Sequence, residues 1–277
     1  MAKSKWTNFK NKTVLVTGAS SGIGLAMAED LANRGANLIL VARSENKLHE
    51  VAKTLRKAGS EATVFISDLS IPNAGEKLYQ EIVQSGLSVD LLINNAGYGR
   101  WGEFTDFRRE DYAKMIQLNI TVLTDLCHLF LPEMIKRGNG GIINVASVAA
   151  FGPVPYGNVY SATKSYVLNF TEALRYEYQN KGIQIMTLCP GGTKSNFANV
   201  ASEKLEHVQA NAKAKEASLS ALSAEVVAKE CLDAFLKNKM YVVTGTSNKL
   251  IVTFGRFLPR RTVLNMAGNM FKKIGGK

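Results

Sequence analysis

Thr13-Val14-Leu15-Val16-Thr17-Gly18-Ala19-Ser20-Ser21-Gly22-Ile23-Gly24 is the stretch on which the fold turns. Its first five residues form an apolar run of strand type, the glycines follow at once, and Leu25, Met27, Ala28, Leu31 and Ala32 then recur at helical spacing. The order is strand, tight turn, helix. Glycine allows such a turn and lets the main chain approach a pyrophosphate. A helix starting there offers phosphate its unpaired N–H groups and the positive end of its dipole. Gly18, Ser20, Ser21, Gly22, Ile23 and Gly24 are therefore candidate dinucleotide ligands. Their spacing, G-x-x-x-G-x-G, differs from the commoner G-x-G-x-x-G.

Outward from this unit the alternation repeats. Apolar runs fall at 37–42, 62–66, 90–93, 141–146, 183–188 and 240–244, with helical patterns between them, for example at 45–58 and 159–178. Near-continuous apolar strands separated by helices indicate a parallel sheet covered on both faces. The 277 residues contain no internal repeat and no low-complexity linker. The expectation is an α/β chain with a single doubly wound, Rossmann-type domain over 1–248, its ligands outside the carboxyl ends of the strands.

Composition narrows the partners. The net charge of +11 lies wholly in residues 1–12, with four basic residues and no acid, and 249–277, with seven and none. Residues 13–248 hold 23 of each sign, so the basic pI does not point to nucleic acid. Cys127, Cys189 and Cys231 lack C-x-x-C spacing and predict neither a disulfide framework nor a metal site. The first twelve residues have no apolar core of signal-peptide type, and no uncharged apolar stretch long enough to span a bilayer is evident. A cytoplasmic setting is expected.

Further along, Tyr160-Ser161-Ala162-Thr163-Lys164 places a phenol and an ammonium one helical turn apart, about 5–6 Å between Cβ atoms. A neighbouring ammonium favours the phenolate, so the spacing predicts a Tyr160 pKa below its usual 10 or so and a proton donor usable near neutrality. With Thr17 to Gly24, Asp68-Leu69, Asn94-Asn95-Ala96-Gly97, Asn119, Ser147, Pro190-Gly191 and Thr193 in that order, the chain resembles the short-chain dehydrogenase/reductase family from about Lys12 to Tyr241.

The resemblance implies a seven-stranded parallel sheet in the order 3-2-1-4-5-6-7 and hydride transfer between a nicotinamide cofactor and a carbonyl or secondary alcohol. It assigns Tyr160 as general acid and base, Ser147 to hold the substrate oxygen, Lys164 to lower the Tyr160 pKa and bind the nicotinamide ribose, and Asn119 to position a water beside Lys164. Asp68 and Leu69 would meet the adenine, Asn95, Ala96 and Gly97 the adenosine ribose, and Pro190, Gly191 and Thr193 the nicotinamide side, while Asn94 is structural. NAD-selective sites usually carry an acid at the end of the second strand. Here Ala42 stands there, followed by Arg43 and Ser44; a guanidinium suits a 2′-phosphate, and the expected cofactor is NADP. A non-catalytic NADP(H)-binding sensor or scaffold is the alternative, since fold does not fix function.

A hydrophobic carbonyl or alcohol is the expected substrate. Tyr98, Trp101, Phe104, Val148, Phe151, Val154, Pro155 and Tyr156 are the residues expected to face it, with Ser147. The resemblance places a substrate lid at residues 194–222, and Ser223 reads as a helix N-cap. The strand end Val41 to Ser44 and the long tail resemble members acting on hydroxysteroids and 3-ketoacyl chains. Homo-oligomerisation through 105–137 and 158–180 is expected from the resemblance. The tail, 249–277, reads as a basic amphipathic extension broken at Pro259. Packing on the body or a subunit is its favoured reading, with peripheral membrane contact as the other.

Overall fold

The computed structural model describes residues 6–194 and 221–275. Seven parallel strands form one sheet in the order β3-β2-β1-β4-β5-β6-β9. They are β1 (Thr13–Thr17), β2 (Asn37–Ala42), β3 (Ala62–Ile66), β4 (Leu91–Asn94), β5 (Gly140–Val145), β6 (Ile183–Cys189) and β9 (Tyr241–Val243), within a residue or two of the apolar runs. Strand side chains alternate between faces. Val14, Val16, Leu38 and Leu40 therefore join α1 (Gly22–Asn33), α2 (Glu45–Lys57) and α7 (Ala224–Leu236) in one core. Leu15, Ile39 and Val41 join α3 (Ala74–Gln84), α5 (Val122–Arg137) and α6 (Asn158–Tyr178) in the other. Both faces are covered, which is why the strands read as unbroken apolar runs.

Strand order reverses between β1 and β4, opening a crevice at their carboxyl ends. The glycine turn leaves β1 there and Asn95-Ala96-Gly97 leaves β4 beside it. Asn94 is structural, as expected: its Nδ2 donates to Asn144 Oδ1 at 2.9 Å across the β4–β5 register.

Four features depart from the sequence reading. The segment 105–137, expected at a subunit interface, is divided into a 3-10 turn (Phe104–Asp106), α4 (Arg109–Ile116), a π-helical turn (Gln117–Thr121) and α5. By length and composition Arg109–Arg137 could cross a membrane, though it carries charges such as Asp125; Leu123, Leu126, Phe130 and Met134 bury one side of it in the core. Secondly, β7 (Thr193–Lys194) pairs with β8 (Leu222–Ser223), so the bounds of the expected lid meet in a short parallel ladder; the lid's residues 195–220 lie outside the described residues. Ser223 does cap α7, its Oγ accepting from Val226 N. Thirdly, Trp6 and Phe9 of the polar-looking N-terminus are buried against Phe235, and Trp6 Nε1 donates to Gly140 O at 3.3 Å.

The fourth is the tail. The expected boundary at 248 falls inside α8 (Thr246–Gly255), and α9 (Arg260–Gly275) follows Pro259. Val252 of α8 is buried in the core, and Phe271 of α9 stacks on Trp101 at 4.9 Å and 7°. The extension packs on the body through these inner faces.

Candidate active site

Thr17, at the end of β1, ties the glycine turn to the end of β4. Its Oγ1 accepts from Asn95 N at 3.0 Å and Ala96 N at 2.9 Å, while Asn95 Nδ2 donates to Thr17 O at 2.9 Å. Gly18 has φ +68°, and a Cβ on Gly24 would lie 2.3 Å from Gly18 O and 2.4 Å from Asn95 Nδ2. No side chain fits at either position. Ser21 stands before α1 without a side-chain cap bond, and no acid lies in the first turn. The first amides of α1 thus face a cradle free of competing carboxylates, which fits a pyrophosphate. The Asn95 side chain, through Nδ2, holds the turn in place.

At the end of β2, Ala42 is buried and Arg43 and Ser44 are exposed, so no carboxylate occupies this strand end. Asp68, after β3, is opposed by burial, but hydrogen bonds from Ser70 and the charges of Arg43 and Lys114 together hold its carboxyl below the ordinary range. Its Oδ1 accepts from Ser70 N at 3.0 Å and Ser70 Oγ at 2.7 Å. Leu69 is buried in the core. After β6, Pro190 O accepts from Val148 N at 2.9 Å, and Thr193 Oγ1 donates to Gly191 O at 3.1 Å.

Ser147 leaves β5 two residues beyond its end and caps the 3-10 turn Val148–Phe151, its Oγ accepting from Ala149 N at 3.1 Å. Tyr160 and Lys164 lie on the buried side of α6. The Ser147 and Tyr160 hydroxyls are hydrogen bonded. Lys164 Nζ donates to Val145 O at 2.8 Å and sits 5.8 Å from the Tyr160 ring centroid. Burial lowers Lys164 to about 8, against a smaller opposing contribution from Cys189. The expected acidified phenol is corrected here. Burial pushes Tyr160 up to about 12, with the Ser147 hydrogen bond opposing, because desolvation of the phenolate outweighs that bond.

Asn119 belongs to the π turn and is buried. Its Nδ2 donates to Tyr98 O at 2.9 Å and Thr163 Oγ1 at 3.0 Å, and its Oδ1 accepts from Tyr98 N at 3.2 Å. A Cβ on Gly97 would come within 3.0 Å of Asn119 Oδ1 and 3.3 Å of Lys164 Nζ, so β4's exit, the π turn and α6 converge there. π turns recur at functional sites.

The apolar wall is partly the expected one. Tyr98, Trp101 and Val154 cluster with Tyr160, and Trp101 lies 5.6 Å from its ring. Tyr98 spends its hydroxyl on Asp111 O at 3.0 Å. Tyr156, held at φ +62°, lines a cleft of about 590 Å³ with Phe104, Pro155 and residues of α9. Val148 and Phe151, partly buried, pack against the second core. Phe151 stands 5.9 Å from Tyr241 and under Arg256. Phe271, unremarked in the sequence, completes the wall; only its place in the tail's apolar stripe hinted at it.

Comparison with known proteins finds relatives in sequence and in fold. A very-long-chain 3-oxoacyl-CoA reductase of Rattus norvegicus is 32% identical over 210 residues, covering 73% of this chain and 66% of that protein. A short-chain dehydrogenase of Sphingobium yanoikuyae, solved with NADPH, is 28% identical and superposes with a TM-score of 0.76 over 89% of this chain and 93% of that one. A short chain dehydrogenase/reductase of Burkholderia phymatum, solved with NAD, is also 28% identical, with a TM-score of 0.80 over 90% and 94%. The family profile described as short chain dehydrogenase matches residues 12–207. With that profile spanning most of the chain and the seven-stranded sheet beneath it, the protein belongs to the short-chain dehydrogenase/reductase family of NAD(P)-binding oxidoreductases.

Proposed function

We propose that the protein is an NADP(H)-dependent carbonyl reductase or alcohol dehydrogenase for a hydrophobic substrate, with Tyr160 as general acid and base. The observation that carries this reading is the convergence of Tyr160, Ser147, Lys164 and Asn119 beside the glycine cradle. When bound, the cofactor exchanges a hydride with the substrate's carbonyl carbon. The cradle at Gly18 to Gly24 would take the pyrophosphate, and Arg43 with Ser20 and Ser44 the 2′-phosphate. Asp68 Oδ2 and Leu69 would meet the adenine, Asn95, Ala96 and Gly97 the adenosine ribose, and Pro190, Gly191 and Thr193 the nicotinamide side.

The chain's own part is the proton. With its pKa raised, Tyr160 is fully protonated at pH 7 and gives its phenolic proton to the carbonyl oxygen in reduction. Ser147 Oγ, already bonded to the phenol, holds that oxygen. Lys164 is mostly charged at pH 7 and stabilises the phenolate left behind. Asn119 fixes the π turn against α6 and keeps Lys164 in place. Trp101, Val154 and Phe271 exclude water from the transfer.

Replacing Tyr160 by Phe should lower turnover by about 10²–10⁴-fold while leaving the NADPH dissociation constant unchanged. Much of the turnover surviving would overturn the assignment. Following NADPH absorbance with a panel of hydrophobic ketones, 3-oxoacyl thioesters included, tests the substrate class. Silence across the panel would favour a non-catalytic binding protein.

A further inference from the structure

The C-terminal helices present two unlike faces. Inward, α8 buries Val252, and α9 sets Val263 against Gly152, Gly268 against Pro155 and Phe271 on Trp101. Outward, Leu250, Ile251, Phe254, Phe257 and Leu258 recur at helical spacing along α8 and the turn after it, all exposed: Ile251 at 68%, Phe254 at 63% and Phe257 at 82%. Met266 and Met270 add exposed apolar surface on α9. Water is a poor partner for so much clustered apolar area, which marks an interaction surface.

Charge selects the occupant. All seven charged residues of 249–277 are basic, beside a body that is neutral. Lys249 pairs with Glu230 at 3.2 Å and Arg256 donates to the Tyr241 hydroxyl at 3.2 Å, while Arg260, Arg261 and Lys272 are exposed. A second copy meeting this one through the same face would set these cations against their own images. An anionic bilayer complements both features, with acyl chains for the phenylalanines and head groups for the guanidinium and ammonium groups. We propose that the outer face of α8 and α9 docks on an anionic membrane surface. Leu264 is both exposed and part of the cleft wall beside Tyr156, so the docked face adjoins the mouth of that cleft.

Co-sedimentation of the full chain with vesicles tests this independently of any turnover. The chain should pellet with phosphatidylglycerol vesicles, less so at high salt, and remain in solution with pure phosphatidylcholine. The charge-neutral pair Phe254→Gln/Phe257→Gln should abolish pelleting, and Arg260→Gln/Arg261→Gln should weaken it roughly 30-fold. Failure of the unaltered chain to pellet with phosphatidylglycerol overturns the proposal, as does undiminished pelleting of the phenylalanine pair. A lower mass of the phenylalanine pair by light scattering, with no vesicle binding by the unaltered chain, would make the face a subunit interface and also overturn it. Should the phenylalanine pair fail to fold, the arginine pair decides, and full retention of binding rejects the idea.

Discussion

Lys164 is a buried ammonium whose only described hydrogen bond is to a backbone carbonyl, and its cost is readable. A lysine at about 8 rather than its ordinary 10.5 destabilises the fold by about 3 kcal/mol at neutral pH. The sign follows from linkage: between pH 8 and 10.5 the unfolded chain binds the extra proton, so this penalty is present below pH 8 and relieved as pH rises through that window. Lys164→Met should therefore abolish turnover and yet raise the melting temperature at pH 7; a lower melting temperature would contradict the argument. Reductase turnover should also decline as pH rises past about 8, where the ammonium is lost, which a pH–rate profile checks. At this scale the sequence is legible wherever chemistry demands one residue type at one spacing, as with Tyr160, Lys164 and Ser147. The direction of the Tyr160 shift was not, because desolvation depends on what packs around the phenol. On the proposed reading Arg43 binds the 2′-phosphate; Arg43→Ala should then raise the KM for NADPH roughly 10–100-fold and leave that for NADH unchanged, a charged phosphate bond being what is removed.

Among the elements, strands buried on both faces announce themselves as apolar runs, and their predicted limits lie within one or two residues of those observed. Interruptions within helices do not. The π turn at Gln117–Thr121 has no signature in apolar periodicity, although it turns Asn119 toward both Tyr98 and Thr163. The cradle shows the other limit: a glycine pattern says that a backbone comes close, without saying to what. Here part of the answer is the chain itself, with Gly24 pressed on Gly18 O and the Asn95 amide. Gly24→Ala must displace that backbone, costing about 1–3 kcal/mol. Calorimetry should show the destabilisation, and isothermal titration a matching loss of NADPH affinity; unchanged affinity would detach the turn from cofactor binding.

Over the whole molecule, the N-terminal arm binds distant parts of the chain together. Trp6 and Phe9 meet Phe235 of α7 and reach β5 at Gly140, contacts that a polar twelve-residue leader conceals because tertiary position alone buries two isolated aromatics. Trp6→Ala should cost about 3–5 kcal/mol, measurable by denaturant unfolding, with catalysis per folded molecule unaltered. The tail was legible as an amphipathic stripe, and its two-sidedness was not, since only the packed body decides which half of a stripe is covered. One arrangement has a practical consequence. The chain's two tryptophans fall in separate places, Trp6 sealed beneath α7 and Trp101 between Tyr160 and Phe271. Intrinsic fluorescence is therefore already divided into a reporter of global integrity and a reporter of the candidate site. In a Trp6→Phe background, the remaining indole emission would read ligand arrival beside the phenol, with no dye attached.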